Sequence, residues 1–349
     1  MSYVISGIQQ VGVGVADVAA AWTTYRSAFG MDVPVFQEAA DAPLMTRYTG
    51  GKVQSRSAVL AINLHGGGGF EIWQYTSRTP VAPASQARLG DYGIFATVMK
   101  SRDPREAHAH LSPLGAAVGS LAAAPDGRER CFVTDPYGNV FQIAPSAEWF
   151  DEPSVVGGVA GAIIGCSDID RSREFYRDVL GYDTVRYDET GVFDDFAHLN
   201  GGTERVRRML LGHSAPRTGP FSQLMGASTI ELVRRTRGSA KRMFADRYWG
   251  DLGFIHLCYD VRGMDALAVR CAEVGHAFTV DSAGTFDMGD AGGRFSYTED
   301  PDGTLIEFVE THKLPLVKKL GIRLNLARRP ADKPLPRWMI RLLGLTRVR

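Results

Sequence analysis

Apolar residues alternate with small or polar ones along Ile8-Gln9-Gln10-Val11-Gly12-Val13-Gly14-Val15, the two-residue period of a strand. The run stops at Asp17, a residue suited to cap a helix, and Ala19 to Phe29 follows with Trp22, Tyr25 and Phe29 on one helical stripe. Gly30 ends that helix. The same succession returns at an offset of 151 residues. Val159 to Asp168 repeats the strand and its cap, Arg171 to Leu180 repeats the helix through Phe175, Tyr176 and Leu180, and Gly181 stops it. Tyr25 falls on Tyr176, Gly30 on Gly181 and Asp32 on Asp183. So many matches in one register mark an internal repeat.

Each copy runs on through strand-like stretches to a glutamate, Glu71 in Gly69-Phe70-Glu71-Ile72-Trp73 and Glu231 in Thr229-Ile230-Glu231-Leu232-Val233. A Gly-Asp-x-Gly segment follows, Gly90-Asp91-Tyr92-Gly93 in one copy and Gly250-Asp251-Leu252-Gly253 in the other. A second helix is predicted over Pro104 to Leu114 and over Met264 to Val274. Closing hairpins turn at Asp135-Pro136-Tyr137-Gly138 and Asp300-Pro301-Asp302-Gly303, where Pro fixes φ and Gly takes the positive-φ position. The chain therefore predicts an α+β fold of four βαβββ modules in two tandem units. The Pro- and Gly-containing stretch 145–158 is the natural boundary, giving domains over 1–148 and 156–312 and an extension over 313–349.

Composition narrows the class. The chain is 349 residues long and 44% hydrophobic, with no apolar run that approaches a membrane span. Its first residues lack the basic start and cleavage site of a secretory signal, and Cys131, Cys166, Cys258 and Cys271 form no CxxC pair. A cytoplasmic protein with reduced, buried thiols is the expectation. Eleven of the Lys and Arg residues crowd into 313–349 beside a single acid, Asp332, so the first 312 residues carry 28 cations against 38 acids. An acidic body argues against nucleic acid as a partner.

The strand-then-Asp openings, the Phe175-Tyr176 helix and the two Asp-Pro-x-Gly hairpins resemble the vicinal-oxygen-chelate superfamily over roughly residues 5–312. That superfamily includes glyoxalase I, methylmalonyl-CoA epimerase, extradiol dioxygenases and bleomycin-resistance proteins. The resemblance implies glyoxalase-like domains whose paired modules form open eight-stranded cups, with metal ligands on the first and last strand of each module. Carried over residue by residue, those positions are Gln10 and Glu71, Ala96 and Gln142, Gly161 and Glu231, and His256 and Glu307. If neighbouring modules pair, neither cup has a complete set. If the first pairs with the fourth, one cup holds Gln10, Glu71, His256 and Glu307, and the other is defunct. The second pairing is preferred on ligand completeness alone.

Two carboxylates, an imidazole and an amide oxygen suit one divalent ion such as Zn²⁺, Ni²⁺, Mn²⁺ or Fe²⁺, and some glyoxalase I enzymes use the same set. The resemblance thus implies a metal-dependent isomerase, epimerase or lyase that abstracts a proton beside a metal-bound oxygen of a small substrate. Glu307 is the expected base and Glu71 its partner on the opposite face; the two roles are exchangeable. Two other readings stand beside it. One is a metal-free sequestering protein whose cup is walled by Phe70, Trp73, Tyr75 and Tyr92. The other is an Fe²⁺ extradiol-type dioxygenase, which lacks its first His because Gly161 stands there.

Bland alternatives apply to single residues. Gln10 is a polar strand residue whose neighbour Gln9 competes for the inward position, and Glu71 and Glu231 share a place that a fold-level role would explain. The run Gly66 to Gly69 reads as a flexible loop more readily than as a phosphate cradle, having no Walker lysine. Arg47, Lys52 and Arg56 read as solvated loop charges before they read as an anion grip. The extension mixes its cations with Leu324, Leu326, Trp338, Met339, Ile340, Leu342, Leu343 and Leu345. Packing on the acidic body is its commoner fate, and a peripheral membrane or protein contact the sharper hypothesis. The sequence leaves monomer and homodimer open.

Overall fold

Each predicted module takes shape in the computed structural model, which describes residues 2–114, 117–283, 286–288, 291–317 and 322–348. The first module comprises β1 (Val4–Gly14), α1 (Val18–Phe29), β2 (Val33–Asp41), β3 (Ser55–Ile62) and β4 (Gly69–Tyr75). The second comprises β5 (Gly93–Ser101), α2 (Pro104–Leu111), the short β6 (Ala117–Val118) and β7 (Ala122–Ala123), β8 (Glu129–Thr134) and β9 (Val140–Pro145). The third comprises β10 (Val159–Gly165), α3 (Ile169–Asp178), β11 (Thr184–Gly191), β12 (Val206–Gly212), the one-turn α4 (Ser222–Met225) and β13 (Thr229–Arg235). The fourth comprises β14 (Gly253–Arg262), α5 (Met264–Glu273), β15 (Val280–Asp281), β16 (Phe286–Met288), β17 (Ala291–Glu299) and β18 (Leu305–Val317). After it come β19 (Ile322–Asn325) and α6 (Arg337–Arg341).

The repeated residues explain themselves locally. Asp17 accepts the N–H groups of Ala19 and Ala20 at 2.9 and 3.0 Å, and Asp168 those of Asp170 and Arg171 at 3.0 and 3.1 Å. Such caps satisfy donors that a helix leaves open at its start. Asp135 and Asp300 each use one carboxylate oxygen to tie their hairpin backbone. The other oxygen takes the helix tyrosine, Tyr25 at 2.7 Å and Tyr176 at 3.1 Å. Module one is thereby bonded to module two, and module three to module four.

Strand pairing follows a different rule. One sheet runs β15-β17-β18-β14-β1-β4-β3-β2 and joins modules four and one. The other runs β11-β12-β13-β10-β5-β9-β8-β6 and joins modules three and two. β1 and β14 are antiparallel from Val4↔Arg262 to Gly14↔Gly253, with a register shift between Ile8 and Gln10. Each sheet curls into a half-barrel. The helices and the outer sheet faces share one core, where Tyr25, Phe29, Phe70, Phe141 and Phe254 meet with ring centroids 4.7–6.2 Å apart. Phe70 therefore belongs to that core and not to a cup wall.

Gly66 to Gly69 is a contact between the sheets, not a flexible loop. Gly68 and Val159 exchange backbone hydrogen bonds of 2.8 Å, and a Cβ on Gly67 would lie 2.6 Å from the Gly158 carbonyl carbon. The extension packs on the body. Leu326, Leu335 and Ile340 are buried with Val33, Ile62, Phe150 and Phe221, while Arg341 pairs with Asp151 and Arg347 with Asp32. All four cysteines are buried and unpaired. No helix among the described residues is long and apolar enough to cross a membrane.

Candidate metal centre

The cup shared by modules one and four brings Gln10, Glu71, His256 and Glu307 together on four neighbouring strands. Ligand atoms of Glu71, His256 and Glu307 lie within 4.8 Å of one another. His256 Nε2 is 3.0 Å from Glu307 Oε2 and 3.4 Å from Glu71 Oε2. It lies off the line that a ring N–H would need, so the nitrogen makes no aligned hydrogen bond. The Gln10 amide donates to Glu71 Oε2 at 3.3 Å and Glu307 Oε2 at 3.5 Å, and its Oε1 is buried without a partner. The register shift in β1 turns both neighbouring glutamines toward the cup. Gln9 lines the same cavity and accepts from the Cys258 thiol, but only Gln10 reaches the carboxylates.

Two features that the sequence reading overlooked hold the imidazole. Gly12 faces His256 across the β1–β14 pair, and a Cβ there would stand 2.4 Å from the ring. The glycine is thus the space the imidazole occupies. On its far side the Tyr297 hydroxyl lies 3.3 Å from Nδ1, which leaves Nε2 as the nitrogen facing the carboxylates. Both were visible in principle: Gly12 interrupts an apolar strand, and Tyr297 has the inward parity opposite Glu307.

Charge balance tests whether a metal fits. Glu71 and Glu307 are 8% and 7% exposed, and among the described residues neither pairs with a Lys or Arg. Buried carboxylates without a counter-charge are costly. Burial by itself would push the His256 pKa down, but the charges of Glu307 and Glu71 overcome it and lift it to about 10. The cluster therefore favours a proton on the imidazole between its two carboxylates. Donor types, spacing, the orphaned Gln10 oxygen and the excess negative charge all fit a divalent ion.

The second cup holds a cation of its own. Its positions are Gly161, Glu231, Ala96 and Gln142, and the buried Arg208 guanidinium reaches Glu231 from β12. Arg208 Nε donates to Glu231 Oε1 at 2.6 Å and Nη1 to Asp195 at 2.7 Å, with Tyr187 also on Glu231 at 2.6 Å. All three charged side chains are at most 1% exposed. A cation is already built in.

The first cup opens into a cavity of ≈ 890 Å³, open solvent at its mouth included, with Gln10, Glu71 and Glu307 in its lining. Trp73 and Tyr75 pack against Trp249 in the cup interior and Tyr92 lines a different cavity, so none of the predicted aromatic walls borders this one. Arg56, expected in solvent, is 8% exposed; it pairs with Glu38 at 2.7 Å and lines the cavity, its Nη1 free of any partner. Arg47 keeps a side chain 61% exposed.

The fold has many solved relatives. Glyoxalase I from Zea mays superposes with a TM-score of 0.54 at 15% identity, covering 88% of this chain and 92% of that one. A putative dioxygenase from Bacillus subtilis gives 0.56 at 15% identity, over 88% of this chain and 86% of that one. No curated protein matches by sequence. A family profile described as the Glyoxalase/Bleomycin resistance protein/Dioxygenase superfamily matches residues 7–143 and 158–308. The duplicated modules, their curled sheets and this match agree: the chain belongs to that superfamily.

Proposed function

We propose that this protein is a divalent-metal-dependent lyase, isomerase or epimerase of the glyoxalase type, acting on a small substrate that offers adjacent oxygens. One observation carries the reading: the only two carboxylates in the lining of the first cup's cavity meet an imidazole and an amide there, with no Lys or Arg partner among the described residues. Gln10, Glu71, His256 and Glu307 would hold the ion, which when bound supplies positive charge to an oxygen that becomes negative during the reaction.

The side chains supply the proton chemistry. Glu307 would take the proton from the carbon beside the substrate's reacting oxygen, since its carboxylate lines the cavity and is largely shielded from water, as is that of Glu71, with which it could exchange roles. Glu71 stands across the cup and returns the proton or holds the substrate from the other face. Tyr297 and the space at Gly12 keep the imidazole in its orientation.

Elemental analysis of the purified protein and of His256→Ala tests the proposal. The expected result is near one divalent ion per chain, lost in the variant. Because His256 must give up its proton to bind metal, and holds it up to about 10 in the metal-free protein, affinity should rise with pH across that range. A folded protein that takes up no metal on titration overturns the reading in favour of a metal-free binding cup.

A further inference from the structure

The cavity above the candidate centre is not walled by the duplicated modules alone. Its lining includes Phe221, Leu224 and Met225 from the loop before β13, and Leu343 from the last turn of the chain. Val35 and Ile62 complete that side from β2 and β3. The loop and the extension are clipped together: Gly219 donates to the Asp332 carbonyl at 3.0 Å, and Leu335 to the Pro220 carbonyl at 2.9 Å. The far end is fastened to β2, with Thr346 bonded to the Pro34 carbonyl at 3.4 Å and Val348 to that of Asp32 at 2.8 Å. Leu335 and Ile340 anchor the segment, both fully buried. The extension lies wholly beyond residue 308, where the family match ends. It is therefore an addition to the modules that the family profile matches.

We propose that the extension is a specificity wall, and that the substrate carries an apolar alkyl or aryl body beside its chelating oxygens. The proposal rests on the function proposed above, since it takes the oxygens to be held at Glu71, His256 and Glu307. Nine apolar side chains, among them the six just named, line a space that also holds the two carboxylates and the Arg56 guanidinium. A wholly polar substrate would leave Phe221, Leu224 and Leu343 against water, whereas an apolar body removes that surface from it. The wall is fixed by main-chain bonds at both ends, which suits a preformed pocket.

Two chelating probes that differ only in chain length provide the test: acetohydroxamate and octanohydroxamate, titrated calorimetrically into the full chain loaded with Mn²⁺. Six added methylenes should raise affinity by at least roughly 30-fold if they enter the chamber. Leu343→Glu should remove most of that gain while leaving acetohydroxamate and Mn²⁺ affinity unchanged, and Leu343→Ala, gentler on folding, should remove part of it. Equal binding of the two probes, or an equal loss of both in the variants, overturns the proposal with the metal reading intact. If the chain binds no Mn²⁺, the metal reading falls, and the same titration on metal-free protein still decides. Octanohydroxamate binding that depends on Leu343 then supports the wall, and its absence overturns it.

Discussion

The two cups share a scaffold strand for strand and differ in how they balance one carboxylate. Glu71 and Glu231 occupy equivalent places, opposite Leu60 on β3 and Leu210 on β12. Two residues before those leucines stand Ala58 in the first cup and Arg208 in the second. Alanine gives Glu71 no cation from β3 and leaves it open to the cavity; arginine reaches Glu231 Oε1, while Glu231 Oε2 stays buried without a partner. A second exchange lies across the sheet centre. Gly12 faces His256 in one cup, while the equivalent residues of the other are Ile163 and Ala96. Bulk has moved from one strand to its neighbour, so volume is kept while the ligand is gained or lost. The chain supplies the second cup's cation as a side chain, and under the proposed function the first cup leaves that place to a bound ion.

The sharpest way to break that comparison is to give the first cup the second cup's cation. Ala58→Arg should carry a guanidinium to Glu71 and weaken metal binding by at least ~1000-fold, about 4 kcal/mol. Ala58→Met has comparable length without charge and should cost less than a tenth of that factor. Calorimetric titration with Zn²⁺ or Mn²⁺ separates the two. If the methionine variant loses metal equally, crowding rather than charge distinguishes the cups.

The converse change is next in size. Arg208→Ala strands Glu231 and Asp195 in a site at most 1% exposed. Removing one partner of such a buried network costs about 3–5 kcal/mol, because the remaining charges stay uncompensated. Chemical denaturation should register that loss, with the metal content of the chain unchanged at one site. A variant that instead bound a second ion would show that only Arg208 keeps the second cup closed to metal.

Local rules made the modules legible. The Asp17 and Asp168 caps, the helix stripes and the Asp-Pro-x-Gly turns are contacts within a few residues, and sequence records such contacts directly. The candidate ligands were legible for a different reason: the duplication supplied an internal standard against which Gly161 and Ala96 read as losses. Phe70 was misplaced through parity, since its neighbour Glu71 faces the cup and successive strand residues face opposite ways. Arg208 was passed over because its partners Asp195 and Glu231 lie 13 and 23 residues away and meet it only when the sheet curls. The cavity wall was hidden more deeply. Leu343 lies more than 100 residues from Phe221, in a segment without repeat, period or motif to place it.

The smallest effect concerns the orientation of the histidine. Tyr297 is buried beside His256 with its hydroxyl 3.3 Å from Nδ1, and it is the ring's one hydrogen-bonding neighbour on that side among the described residues. A neutral imidazole that presents Nε2 to a metal carries its proton on Nδ1, and an acceptor there fixes both tautomer and ring angle. Tyr297→Phe keeps the aromatic packing against Trp249 and removes only the acceptor. Loss of such a partner weakens metal affinity by roughly 10-fold, at the low end for groups behind a ligand. Metal competition against a chromophoric chelator resolves a change of that size. The same substitution should leave the second cup untouched, because Ala96 stands there in place of a histidine and has no ring to orient. A variant with unchanged affinity would mean that the space at Gly12 and the two carboxylates already fix the ring, and that the tyrosine only fills the wall.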